Sequence, residues 1–246
     1  MIGWYNCPVI NYCLWPNKEI EVDFGQNKLL LLPTDGKYYQ SIHRNSKNYD
    51  ESRLIINRFL SYLSWHCNNM VWILDNMVCG SGRYFNFPKS KDDFIFINQI
   101  DHFPNKIEYN LSKEQILALA LFRDAINSNN PSLSFLQYIK IINIKYKDKI
   151  INEINPLKKW LNEICIRLST EKIIKDLKES INDEAIDIYL YKSCRCAIAH
   201  ANISPIIDPD NPADNEKIIN SIKVIRFLSE KIIEEEIYKN RKINEF

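Results

Sequence analysis

The sequence changes character at Leu111. Beyond it, apolar residues recur at helical spacing between short polar breaks, whereas the first hundred residues alternate strand-like and helix-like stretches. That division reads as an α+β protein, with a mixed α/β N-terminal domain followed by an all-α helical bundle. A chain of 246 residues can form one large domain or two small ones and bury a core in each. The polar stretch "DHFPNKIEYN", interrupted by Pro104, places the boundary at about residue 105, giving domains 1–105 and 106–246.

In the first part, "KLLLLPTDGKYYQSI" offers an apolar strand, a "TDG" turn and a second strand containing Tyr38 and Tyr39. "YDESRLIINRFLSYLSWHC" carries Leu54, Ile55, Phe59, Leu60 and Leu63 in a helical rhythm. "NMVWILDN" and "DDFIFINQI" read as short buried strands, and "CGSGR" as the turn between them. "CGSGR" lacks the Gly-Lys-Ser/Thr ending of a phosphate-binding loop.

In the second part, "LSKEQILALALFRDAI" opens on a capping box, Ser112 with Gln115, and Leu111 and Ile116 are spaced to form a hydrophobic staple. "NPSLSFLQYIKIINI" and "NPLKKWLNEICIRLST" each begin a helix at a proline, Pro131 and Pro156. "NDEAIDIYLYKSCRCAIAHA" is the fourth helix, and Pro212 opens a long last one. The result is a bundle of roughly five helices.

Composition limits the function classes. The formal net charge of +1 carries no global signature of a nucleic-acid binder, although it leaves room for a local basic groove. The N-terminus has no basic segment before an apolar run, and no apolar stretch approaches bilayer length. Seven cysteines, odd in number and irregularly spaced, fit a reducing cytoplasm better than a disulfide framework.

The chemistry concentrates in "YLYKSCRCAIAHAN", Tyr189 to Asn202. Arg195 is followed five positions later by His200, with small or apolar residues between them. On an α-helix these two lie about 140° apart, which is not one face. One reading lets Arg195 reach the surface and leaves His200 as a satisfied histidine at a helix end, where the dipole favours its protonated form. The other turns both side chains into one cleft, completed by a second subunit. Cys194 and Cys196 form a C-x-C pair without further ligands at metal-binding spacing, so buried apolar cysteines are favoured over a metal site. Cys196 shares a face with His200, so a Cys/His nucleophile pair is a further option without a protease signature behind it. Cys7 and Cys13 could converge with His66 and Cys67, but nothing in their spacing requires it. Trp4, Trp15, Trp65 and Trp72 read as core or interface residues.

The Arg-x4-His spacing on the penultimate helix resembles the HEPN superfamily, whose signature is Arg-x4–6-His. "RCAIAHAN", "DPDNPADNEKI" and the upstream "ALFRDAINSNNPSLSFLQYIKI" are, more narrowly, similar to methylamine-utilisation MauJ-like proteins. The resemblance spans residues 111 to 235 and implies metal-independent RNA cleavage by a homodimer built through the helical domain. Arg195 and His200 would be the catalytic pair, and no cofactor or metal would be needed. A histidine with an ordinary pKa near 6.5 suits proton transfer at the ribose 2′-OH or the leaving 5′-oxygen. Arginine suits the scissile phosphate. Lys192 and Asn202, with the basic run "KYKDK" (Lys145 to Lys149), would contact RNA. The implied setting is a cytoplasmic effector of a bacterial defence or toxin-type system, with a regulatory protein partner as a further possibility and no membrane. Cys196 stands where active members usually carry a polar residue, and Asn202 where modified members carry tyrosine. The alternative is therefore a non-catalytic HEPN-like module that binds RNA, nucleotide or a protein partner.

Overall fold

The computed structural model describes residues 3–74, 78–81, 84, 86–89, 98–149, 155–181, 184–200 and 204–238. The chain forms two compact units, the first running to Arg123 and the second beginning at Asp124. The fold is α+β, a curled sheet followed by helices.

The first unit is built on β1 (Gly3–Asn11), β2 (Trp15–Pro16), β3 (Ile20–Phe24), β4 (Asn27–Leu32) and β5 (Ser41–Ser46), followed by helix α1 (Tyr49–Cys67). Four short strands complete it: β6 (Val71–Ile73), β7 (Val78–Ser81), β8 (Gln99–Ile100) and β9 (Lys106–Ile107). The main sheet runs β6-β1-β5-β4-β3-β9, and β7 pairs with β1. β3 and β4 form a hairpin through Gly25, whose φ of 58° is a conformation glycine adopts without strain. A side chain there would also press on the Tyr109 carbonyl, 3.1 Å from the position of a Cβ. β9 joins β3 in parallel, and β8 joins β2 in the same sense.

α1 covers one face of this sheet. Asn48 caps its start by accepting from the Glu51 N–H, and Asn68 ends it in the left-handed conformation. Its apolar stripe, Ile55, Ile56, Phe59, Leu60 and Leu63, packs on Val9, Val22, Phe24, Leu29, Leu31 and Ile42. Phe24 and Phe59 meet edge to face at 5.4 Å. Trp15 and Trp65 are fully buried, while Trp4 and Trp72 are half-buried.

Several expectations are met closely. The helix read from "YDESRLIINRFLSYLSWHC" is α1, and "NMVWILDN" contains β6. Tyr38 and Tyr39 differ: Tyr38 makes one isolated bridge to Pro88, and the second strand starts at Ser41. "CGSGR" is partly strand, since β7 runs to Ser81, while Gly82 and Arg83 lie outside the described residues. Of "DDFIFINQI", only Asn98 to Ile100 is described, with Gln99–Ile100 in β8.

The helical part comprises α2 (Lys113–Asn127), α3 (Pro131–Asn143), α4 (Pro156–Arg167), α5 (Lys172–Ser180), α6 (Ile186–Ile188), α7 (Ala197–Ala199) and α8 (Pro212–Ile232). The capping box holds in both directions. The Gln115 N–H donates to Ser112 Oγ at 3.3 Å, and the Ser112 N–H donates to Gln115 Oε1 at 2.8 Å. α3, α4 and α8 each open on proline, and the asparagine before each proline caps the helix: Asn130, Asn155 and Asn211 accept from the N–H groups of Leu133, Lys158 and Ala213. α5 is a helix beyond the five read from sequence, set off from α4 by a single short turn. α3 lies along α8, and Ser229 Oγ donates to the Tyr138 carbonyl at 3.0 Å. Among the described residues, no helix is long and apolar enough to cross a membrane.

Candidate functional site

Between α6 and α7 the helix widens. Tyr189–Cys196 is a π-helix, and the Ala197 N–H reaches back to the Lys192 carbonyl, five residues earlier. Its inner face buries Tyr189, Leu190 and Cys194. Cys194 Sγ lies 3.4 Å from Ser221 Oγ on α8, and burial holds its thiol above the ordinary range. Lys192 is exposed on the outer side.

The helix stops at His200. Its N–H still bonds the Cys196 carbonyl at 2.9 Å, but its own backbone is extended, with φ −132° and ψ 106°. The wide turn and this break undo the 140° separation expected on a regular helix. Arg195 Nη1 lies 3.3 Å from His200 Nε2. The neighbouring Cys196 sulfur is 3.8 Å from the same nitrogen. Arg195 and His200 are both half-buried, so solvent reaches part of each side chain.

The other guanidinium nitrogen is committed. Arg195 Nη2 lies 2.5 Å from Asp148 Oδ2, and the side chains are 23% and 9% exposed respectively. Arg195 therefore does not simply reach into solvent. Tyr191, one turn earlier on the π-helix, places its ring 5.9 Å from the guanidinium carbon and donates its hydroxyl to Asp148 Oδ1 at 2.8 Å. Asn155 Nδ2 donates to the same Oδ1 at 2.8 Å and to the Tyr191 hydroxyl at 3.0 Å. Burial, followed by the bond and charge of Asp148, raises the Tyr191 phenol to about 12, so it stays a donor at neutral pH.

Asp148 sits inside "KYKDK", the segment read as a basic contributor. Exposure alternates along it: Lys145, Lys147 and Lys149 face solvent, while Tyr146 and Asp148 turn inward. Tyr146 stacks on Trp160 at 5.3 Å and donates its hydroxyl to Glu236, 2.9 Å from Oε2. The same five residues thus supply three exposed cations and the acid that holds Arg195.

The structure brings together Arg195 and His200, with Lys192 on the same helix. Asn202 lies outside the described residues. Sequence reasoning missed Asp148, Tyr191 and Asn155. Asn155 alone had a local signal, the Asn-Pro that opens α4, and that signal points to a cap rather than a site. Among the described residues, no group of three or more His, Cys, Asp or Glu side chains is placed to hold a metal ion.

Residues 118–234 match the family model of methylamine utilization protein MauJ. The match covers a little under half of the chain and is confined to its helical part, so the chain is MauJ-like over that span. Arg195, His200, Asp148, Tyr191 and Asn155 all fall within it. No curated protein and no solved structure matches the chain.

Proposed function

We propose that the helical part is a metal-independent endoribonuclease of HEPN type and that the chain acts in the cytoplasm as an RNA-cleaving effector of a bacterial defence or toxin-type system. The observation that carries the reading is the 3.3 Å approach of Arg195 Nη1 to His200 Nε2 at a half-buried helix end. Proton transfer and a fixed phosphate-binding cation both serve cleavage by the 2′-hydroxyl, and this pair supplies one group of each kind.

In this mechanism the ribose 2′-oxygen attacks phosphorus as a histidine takes its proton. The 5′-oxygen leaves with a proton from a second histidine, and the products are a 2′,3′-cyclic phosphate and a 5′-hydroxyl. Two proton-transfer groups are needed, so two copies pair through the helical part and present two Arg195/His200 sites to one cleft. Arg195 Nη1 offsets charge on the phosphate oxygens, while the ion pair with Asp148 anchors the other side of the guanidinium at Nη2. Lys192, Asn202, Lys147 and Lys149 contact the RNA backbone.

A second reading has its own supporting observation. Asp148 already occupies part of the Arg195 fork and cancels its charge locally. An arginine held this way also suits a non-catalytic HEPN-like module that binds RNA, nucleotide or a protein partner.

The two readings separate in one experiment. The full chain is incubated with mixed RNAs in EDTA, and the product ends are mapped while the oligomeric state is measured. Cyclic-phosphate ends produced by a dimer support the nuclease. RNA bound but left intact supports the module.

A further inference from the structure

A groove borders the arginine network on its α4 side. Its volume is about 530 Å³, within the range of ligand-binding clefts, and it runs between the first two turns of α4 and the short α6. Asn155 belongs to both sites. It lines the groove, and its Nδ2 donates to Asp148 Oδ1 at 2.8 Å and to the Tyr191 hydroxyl at 3.0 Å. Asp148 in turn holds Arg195. One amide and one carboxylate therefore separate the groove from the guanidinium.

The charges that line the groove are of two kinds. Lys159 and Glu163 answer each other at 3.8 Å along α4, and both are exposed. Lys158 on α4 and Asp187 on α6 are half-buried. Among the described residues, neither the Lys158 ammonium nor the Asp187 carboxylate makes an ion pair or a hydrogen bond. A partly desolvated charge without a partner is costly. Two such charges on opposite walls of a cleft suit a ligand that brings hydrogen-bond donors to the acid and an anion to the lysine.

We propose that this groove reads a guanine beside the phosphate that is cut, with Asp187 as the specificity-determining residue and Lys158 as a backbone contact. The assignment rests on the nuclease reading of Arg195 and His200. An ionised carboxylate only accepts hydrogen bonds, and its two oxygens accept side by side. Of the four RNA bases, guanine alone carries two neighbouring donors on its pairing edge, N1–H and the N2 amino group. Adenine and cytosine set a ring-nitrogen acceptor beside their amino group, and uracil flanks one N–H with two carbonyls. Each of these three turns a lone pair toward Asp187. The pairing edge is open only in a single strand, which makes unpaired RNA the substrate class. Ile188, beside Asp187, gives the base an apolar wall. Lys158, a flexible point charge, suits the neighbouring phosphate, and such a contact holds the strand without reading its sequence.

Fluorescence anisotropy of the full chain with two labelled RNA pentamers, UUGUU and UUAUU, tests the subsite. Their 2′-fluoro sugars block attack by the 2′-oxygen, so binding is read apart from cleavage. The wild type should bind UUGUU about tenfold or more tightly than UUAUU. Asp187→Asn, close in shape, should bring the two affinities to within about twofold of each other. Lys158→Ala should weaken both by a similar factor. On unmodified RNA, cuts should fall beside guanine. Equal wild-type affinities, no binding of either pentamer, or a guanine preference that survives Asp187→Asn overturns the subsite. Cleavage without base preference also overturns it and leaves the nuclease standing. Selective binding of UUGUU without any cleavage keeps the groove as a base reader and removes the nuclease.

Discussion

Asn155 joins a helix cap to the arginine site through Asp148. Its Oδ1 accepts from the Lys158 N–H at 3.1 Å to cap α4, and its Nδ2 donates to Asp148 Oδ1 at 2.8 Å. One side chain therefore fixes both the start of a helix and the orientation of the carboxylate that holds Arg195. Asn211 caps α8 from an exposed position. Asn211→Ala should cost about 1 kcal/mol, the usual value of a cap. Asn155→Ala should cost about 1–2 kcal/mol more, because Asp148 and Tyr191 also lose a donor. Urea unfolding of the two variants checks this, and equal losses would show that the Asn155 amide group adds nothing beyond the cap.

Asp148 and Arg195 should be energetically coupled. Asp148→Ala leaves a guanidinium that is only 23% exposed without its counter-charge, at a cost of about 2 kcal/mol, below the figure for a fully buried pair. Arg195→Ala, made in the Asp148→Ala background, should cost less than in the wild type, with a coupling energy of about 1–2 kcal/mol. A double-mutant cycle measured by denaturation gives the value directly. Additive losses would mean that the pair is a contact without stabilising energy.

How much of this was legible depends on range. The capping box of Ser112 and Gln115, the proline starts of α3, α4 and α8 and the span of α1 are set by neighbours within a few residues, and each reads correctly from the string. The parallel additions of β8 to β2 and β9 to β3 join segments about eighty residues apart, and no local pattern announces them. Asp148 was hidden for a different reason. In "KYKDK" the charges suggest a solvated basic strip, and only the inward turn of alternate residues shows that the acid faces Arg195. The Arg195–His200 distance depends on a π-helical turn and on the end of the helix at His200, which helical spacing alone misjudges.

The first unit should lose stability in acid through His43. This side chain is buried in the sheet, with Nδ1 2.7 Å from Asn6 Oδ1 and Nε2 2.8 Å from Ser41 Oγ. The Asn6 oxygen accepts, so Nδ1 carries the proton and Ser41 donates to Nε2, which is the neutral tautomer. Burial lowers its pKa to about 4. The unfolded chain binds a proton near pH 6.5, while the folded chain resists binding until about pH 4. The stabilisation is therefore complete above about pH 6.5 and is lost as pH falls to about 4, in total on the order of 3 kcal/mol. Urea midpoints measured from pH 7.5 to 4.5 should fall for the wild type and fall less for His43→Gln. Parallel curves would place the acid sensitivity elsewhere.

The central claim is that Arg195 and His200 act together on RNA. The direct measurement is the single-turnover RNA cleavage rate in EDTA for the wild type, His200→Ala and Arg195→Lys, each with its fold verified by circular dichroism. The account predicts a loss of at least about 100-fold for His200→Ala, from the missing proton transfer. It predicts a loss of about 100-fold for Arg195→Lys, because a point charge does not replace the fork that faces Asp148 and the phosphate together. Folded variants that cleave at the wild-type rate, or a wild type that binds RNA without cutting it, would contradict it.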